Sequence, residues 1–149
     1  MNITVIERID RPPALVRDQL ADVRYHQRYA IHRATRVQVL EESGGSCRYR
    51  QLTGPGPLAV RQVVELTEPE PGVLENRITG GPFAGTVLRY TVAGPDEGPT
   101  RVTAELDWPM PRLAERPLAT VMRRELRLAL SEDRIDLESG AYEARRDAD

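Results

Sequence analysis

The side chains able to do acid–base or hydrogen-bond chemistry fall on one parity of short alternating runs. Tyr49 and Gln51 alternate with Arg48 and Arg50, Gln62 shares parity with Val60, Val64 and Leu66, Asn76 with Leu74 and Ile78, and Tyr90 with Leu88 and Val92. Same-parity residues of a strand share a face. An amide or hydroxyl on an apolar face costs on the order of a few kcal/mol unless it finds a partner. Five such groups on one face therefore predict bound water, a ligand, or pairing among themselves. A mostly apolar surface with a few placed polar groups is the make-up of a small-molecule site. The competing reading is that these positions lie near strand ends and are solvated. Trp108 could stack on a flat ligand or plug the base of a neighbouring helix, and Met122 could line the same space or fill a gap in packing. Glu125, at the edge of an apolar helical stripe, would be a general acid or base if buried and a solvated flank if not.

Other chemistries find less support. His26 and His32 are the only histidines, and their six-residue spacing puts them on different faces of a helix, unlike the i, i+4 pair that shares a metal. His32, after Ala30 and Ile31, is the better candidate for an acid or base, with Tyr90 beside it as a second catalytic candidate. Ser46 and Cys47 follow a Gly-Gly turn in strand context, which is no nucleophile elbow. The Gly-rich stretches GPGP and GGPFAG lead into strands and carry no Lys, so they lack the helix N-terminus that cradles phosphate. Arg48, Arg50, Arg61, Arg77, Arg89 and Arg101 take the outward parity, interleaved with Glu65, Glu75 and Glu105, which predicts mixed-sign ladders on the convex face. No metal or redox cofactor is implied.

Gly and Pro clusters at 44–45, 54–57, 69–72, 80–82, 94–99 and 109–111 punctuate the chain. Between them, Val-, Thr- and Tyr-rich runs predict strands near 36–42, 47–52, 59–67, 73–79, 86–93 and 101–108, with a first strand over 2–9. Short turns imply consecutive antiparallel hairpins. Leu15, Val16, Leu20 and Val23 keep helical spacing after Pro12-Pro13, and a second short helix is expected over about 24–33. From Pro117 to about Glu138 a long helix carries Leu118, Val121, Met122, Leu126, Ala129 and Leu130 on one face, with Gly140 as its stop. Strands segregated from helices imply an α+β fold, the sheet curved around the long helix.

The chain has 149 residues, 40% hydrophobic and 30% charged, and this predicts one globular domain over 1–140 and a charged, fraying tail over 141–149. Net charge is −2 and all 21 basic residues are Arg, so no basic stripe offers itself to nucleic acid. The opening MNITVIERID lacks the apolar core of a signal peptide, no window approaches a membrane span, and Cys47 is alone. A cytoplasmic protein without membrane insertion is the expectation.

The opening ITVIERIDRPPALVRDQLADV, the hairpin pieces AVRQVVELTEPEPGVLENRI and GTVLRYTVAGPDEGPTRVTAELDW, and the final ERPLATVMRRELRLAL together resemble the START/Bet v 1-like (SRPBCC) superfamily. The likeness is greatest to its bacterial polyketide cyclase/dehydrase and lipid-transport branch. It covers roughly 2–138 and lies in pattern and order. The resemblance implies a helix-grip fold: a seven-stranded curved antiparallel sheet wrapped around a long C-terminal helix, with two short helices after the first strand. It also implies a cavity for a hydrophobic or aromatic small molecule, lipid- or polyketide-like, between sheet and helix. Tyr49, Gln51, Gln62, Asn76, Tyr90, Trp108 and Met122 are the expected ligand-binding residues. The alternatives are a polyketide cyclase/aromatase-dehydratase, in which Tyr90, Tyr49, Asn76 and His32 would supply hydrogen bonds or a proton, and a protein-interaction module with a filled interior. A homodimer is compatible with the chain.

Overall fold

The computed structural model describes residues 1–28, 35–53, 59–109 and 115–148. Seven strands, β1 (Asn2–Ile9), β2 (Thr35–Ser43), β3 (Ser46–Thr53), β4 (Val60–Glu70), β5 (Val73–Gly80), β6 (Val87–Ala93) and β7 (Thr100–Asp107), form one antiparallel sheet. Their order across it is β1-β7-β6-β5-β4-β3-β2. The helices are α1 (Pro13–Ala21), α2 (Val23–Arg28), α3 (Glu115–Glu138) and α4 (Ala141–Asp147). The strand boundaries fall within a few residues of those the turn punctuation predicts. The part of the expected second helix beyond Arg28 lies outside the described residues.

Period-2 alternation decides which face of the sheet is buried. In β7, Val102, Ala104 and Leu106 turn inward while Arg101, Glu105 and Asp107 are exposed. Val64, Leu66 and Leu74 continue the inner face across β4 and β5. On the outer face, Glu75 accepts hydrogen bonds from Arg77 at 2.7 Å and from Arg89, its neighbour across β5 and β6, at 2.8 Å. The expected mixed-sign ladder is therefore present there. Register shifts between Val39 and Glu41, Val63 and Val64, and Thr67 and Glu70 bend the sheet locally.

α3 spans 24 residues, about 36 Å at ~1.5 Å per residue, and lays Leu126, Leu130 and Leu137 against the sheet. Arg134 ties it to β1 by donating to Glu7 at 2.7 Å. The buried stripe runs 126, 130, 133, 137, and the wheel shifts accordingly. Val121, expected on the buried face, is 52% exposed because it lies about 100° around the helix from Met122.

The C-terminal segment also departs from expectation. Where composition predicts a fraying tail over 141–149, Gly140 takes a left-handed conformation (φ 77°) and the chain re-enters a helix, α4. Tyr142 makes this worthwhile. It is buried, packs edge-to-face on Tyr25 with centroids 5.1 Å apart, and donates from its hydroxyl to Asp22 at 3.1 Å. Tyr25 in turn donates from its backbone N–H to Asp22 at 2.9 Å and from its hydroxyl to Asp136 on α3. One aromatic side chain thus recovers the cost of ordering an otherwise charged segment.

Candidate functional site

Sheet and α3 do not close fully on each other. Between them lies a cavity of about 480 Å³, within the range of small-molecule sites. Leu20 of α1 and Val23 of α2 cover one side, the inward residues of β2 to β7 form the curved wall, and Met122, Ala129 and Asp133 of α3 form the opposite one. The wall is largely aliphatic because most strands place Val, Ile or Leu on their inner parity, with Tyr49, Gln51, Gln62, Asn76 and Tyr90 among them.

All seven residues singled out from the sequence are on this wall. Tyr49, Gln51, Gln62, Asn76 and Tyr90 come from β3 to β6, Trp108 follows β7, and Met122 comes from α3. The Tyr49 hydroxyl donates to Asn76 Oδ1 at 3.1 Å, so two of the polar groups satisfy each other across the intervening β4. Burial holds the Tyr49 and Tyr90 phenols well above the usual tyrosine range, and the charge of Asp133 adds to the effect on Tyr90. Both are therefore neutral at physiological pH. Trp108 packs edge-to-face on Phe83 with centroids 5.3 Å apart, and its backbone N–H donates to the Met1 carbonyl at 2.8 Å.

The histidine candidates are not placed: His32 lies outside the described residues, as does the side chain of His26. Glu125 is exposed on α3, so it is not the carboxylate of the cavity. Asp133 is, eight residues further along the helix. It is 4% exposed, and its Oδ1 has no hydrogen-bond partner. Burial first, then the charge of Glu132, push its carboxyl up to about 7. Gln19 of α1 donates to the Asp133 backbone carbonyl at 3.3 Å, leaving the side chain to the cavity. Thr86, immediately before β6, is likewise buried with an unpartnered hydroxyl on the cavity wall. Asp133, Thr86 and Phe83 were not anticipated. The spacing 126, 130, 133, 137 was the available signal for Asp133.

The geometry offers a desolvated acid–base group near neutrality, hydroxyl and amide hydrogen-bonding groups, and aromatic faces. Among the described residues no cluster of His, Cys, Asp or Glu is arranged to hold a metal ion. No described helix is long and apolar enough to cross a membrane.

No family model and no curated sequence matches the chain. Solved structures do. The Zhui aromatase/cyclase from Streptomyces sp. R1128 superposes with a TM-score of 0.77 at 17% identity, covering 95% of each chain. The chain has the START/Bet v 1-like helix-grip fold. A START superfamily protein from Mycobacterium smegmatis shares it (TM-score 0.72, 12% identity, 96% of this chain and 98% of that one). So does the di-domain ARO/CYC StfQ from the steffimycin biosynthetic pathway (TM-score 0.71, 17% identity), where 97% of this chain matches 46% of that one. At these identities the helix-grip likeness speaks for architecture, and the site has to be argued from its own residues.

Proposed function

We propose that this protein binds a hydrophobic or aromatic small molecule in the cavity between the sheet and α3. The observation that carries the reading is the open, mostly aliphatic cavity of about 480 Å³ with a few inward polar side chains. An interaction module with a filled interior would not leave such a space, which costs dispersion contacts along its whole lining. Tyr90, Asn76 and Tyr49 orient the ligand by hydrogen bonds, and Trp108 and Phe83 offer it a flat face. Native mass spectrometry of freshly purified protein tests this. A retained adduct of a few hundred daltons supports it, and Asn76→Leu or Tyr90→Phe should then weaken retention while the fold survives. A clean mass, together with no binding of apolar aromatic probes, defeats it.

One observation favours a second reading as a cyclase- or dehydratase-type enzyme. Asp133 titrates near 7 inside the cavity, with the Tyr90 phenol close enough to feel its charge. A carboxyl poised there can both give and take a proton, and two structural neighbours are named aromatase/cyclases. In this reading the cavity holds a reactive chain folded while Asp133 moves the proton. Turnover that falls at least ~10-fold in Asp133→Asn and in Tyr90→Phe would support it.

A further inference from the structure

Among the described residues, the ionisable side chains on the cavity wall are all acids: Asp133, Tyr49 and Tyr90. The chain contains no Lys, and no Arg of the described residues lines the cavity. Asp133 is buried with an unpartnered carboxylate oxygen, an arrangement that is costly unless an occupant supplies the partner. The Thr86 hydroxyl on the sheet side is in the same condition. Around them the wall concentrates aromatic rings. Four of the six described aromatic residues, Tyr49, Phe83, Tyr90 and Trp108, line the cavity, and ring faces attract cations.

These observations bear on the charge of the ligand. A carboxylate, such as a fatty acid or an aryl acid, would bring a second anion beside Asp133 in a low-dielectric space where no described residue supplies a counter-cation. An ammonium would supply the missing donor and neutralise the buried charge. We propose that the cavity selects an apolar amine, bound as its ammonium with N–H donating to Asp133 and with Thr86 as a second polar anchor, and rejects carboxylates. This inference rests on the binding reading above.

The groups facing Asp133 set the pH dependence. Glu132 adjoins it on α3, the Tyr90 phenol approaches from β6, and Gln19 of α1 is uncharged. Arg134, the nearest base in sequence, is engaged by Glu7 of β1. An alkylamine stays protonated through pH 8, as a lysine side chain does. Its affinity should therefore rise as Asp133 ionises.

Isothermal titration of the full chain with a size-matched trio, naphthylmethylamine, naphthalenemethanol and naphthoic acid, tests the charge rule. At pH 8 the amine is expected to bind at least ~10-fold tighter than the alcohol, and the acid at least ~10-fold weaker than the alcohol. Moving the wild-type protein from pH 8 to 5.5 should erode the amine's advantage, and Asp133→Asn should abolish it. If alcohol or acid binds as tightly as the amine, or if the amine's advantage ignores both pH and Asp133→Asn, the charge rule is overturned while cavity binding stands. If none of the three binds and no adduct is retained, cavity binding itself fails, and this inference with it.

Discussion

Replacing Asp133 by Asn should stabilise this protein above neutral pH. The usual carboxyl value of 3.8 is pushed to about 7 by burial inside the folded protein. Between those values the folded state keeps a proton that the unfolded state releases, so stability falls as pH rises. The contribution of the protonated carboxyl is fully present below about 3.8 and lost by the time pH passes through about 7. A displacement of about 3 pH units at ~1.36 kcal/mol each makes the ionised carboxylate a burden of about 4 kcal/mol at pH 8. Asn has the same shape without the charge and escapes it. Urea denaturation of wild type and Asp133→Asn at pH 5, 6, 7 and 8 reads the difference directly. The variant should gain about 1.5 kcal/mol at pH 5 and about 4 kcal/mol at pH 8, the latter a melting shift of roughly 8–16 °C for a chain of this size. Other carboxylates titrate in both proteins and cancel in the comparison. A difference that does not change with pH, or a variant less stable than wild type at pH 8, would refute the argument that Asp133 is desolvated and unpartnered.

Three further expectations concern the frame around the cavity. Tyr142→Phe removes only the hydrogen bond to Asp22 and should cost about 1 kcal/mol, whereas Tyr142→Ala also empties the contact with Tyr25 and should cost about 3–5 kcal/mol, both read by urea denaturation. Gly81→Ala should cost more than Gly45→Ala in thermal melts, although both glycines have positive φ (103° and 82°). A Cβ at Gly81 would meet the Arg61 carbonyl at 2.5 Å, while one at Gly45 meets nothing within 4 Å. Glu68 accepts from Arg17 Nε at 3.0 Å and from the Gly72 N–H at 3.1 Å, and these partners hold its carboxyl below the usual range. Its contribution is therefore present above the unfolded value and lost as pH falls through the lower folded one. Glu68→Gln should cost about 0.5–1 kcal/mol at pH 7, and that gap should close under acid.

The sheet was legible because side-chain parity is rigid. Tyr49, Asn76 and Tyr90 had to share a face with Leu74 and Val92 once the turns were placed, and the turns were written in Gly and Pro. Val63, on the parity opposite Val64, blurred the pattern in β4 because a register shift separates the two. The helix was harder. Searching α3 for its apolar stripe finds Leu126 and Leu130 but passes over Asp133, on the same face, and Asp136 at its flank, both buried more deeply than Leu126. A polar residue on a core face reads as a break in the stripe, whereas here it marks where the stripe meets the cavity and the α2–α4 contact. Thr86 and Phe83 lie around a turn, where no period assigns a face. Tyr142 was hidden by its charged neighbours, since one buried ring among Arg and Glu leaves no periodic trace.

The pairing of β1 with β7 has a consequence for biosynthesis. Asn2 lies in register opposite Asp107, and α3, which packs on the same strand, comes later still. At ribosomal rates of about 5–20 residues per second, β1 waits roughly 5–20 s before its partner strand β7 is made. During that time Ile3, Val5 and Ile9 form an uncovered apolar edge. The hairpins from β2 to β6 pair with near neighbours in sequence and can assemble while translation continues. β1, made before the other six strands, is therefore among the last to be sheltered, and it is a segment through which a nascent chain would engage a chaperone or a second nascent copy.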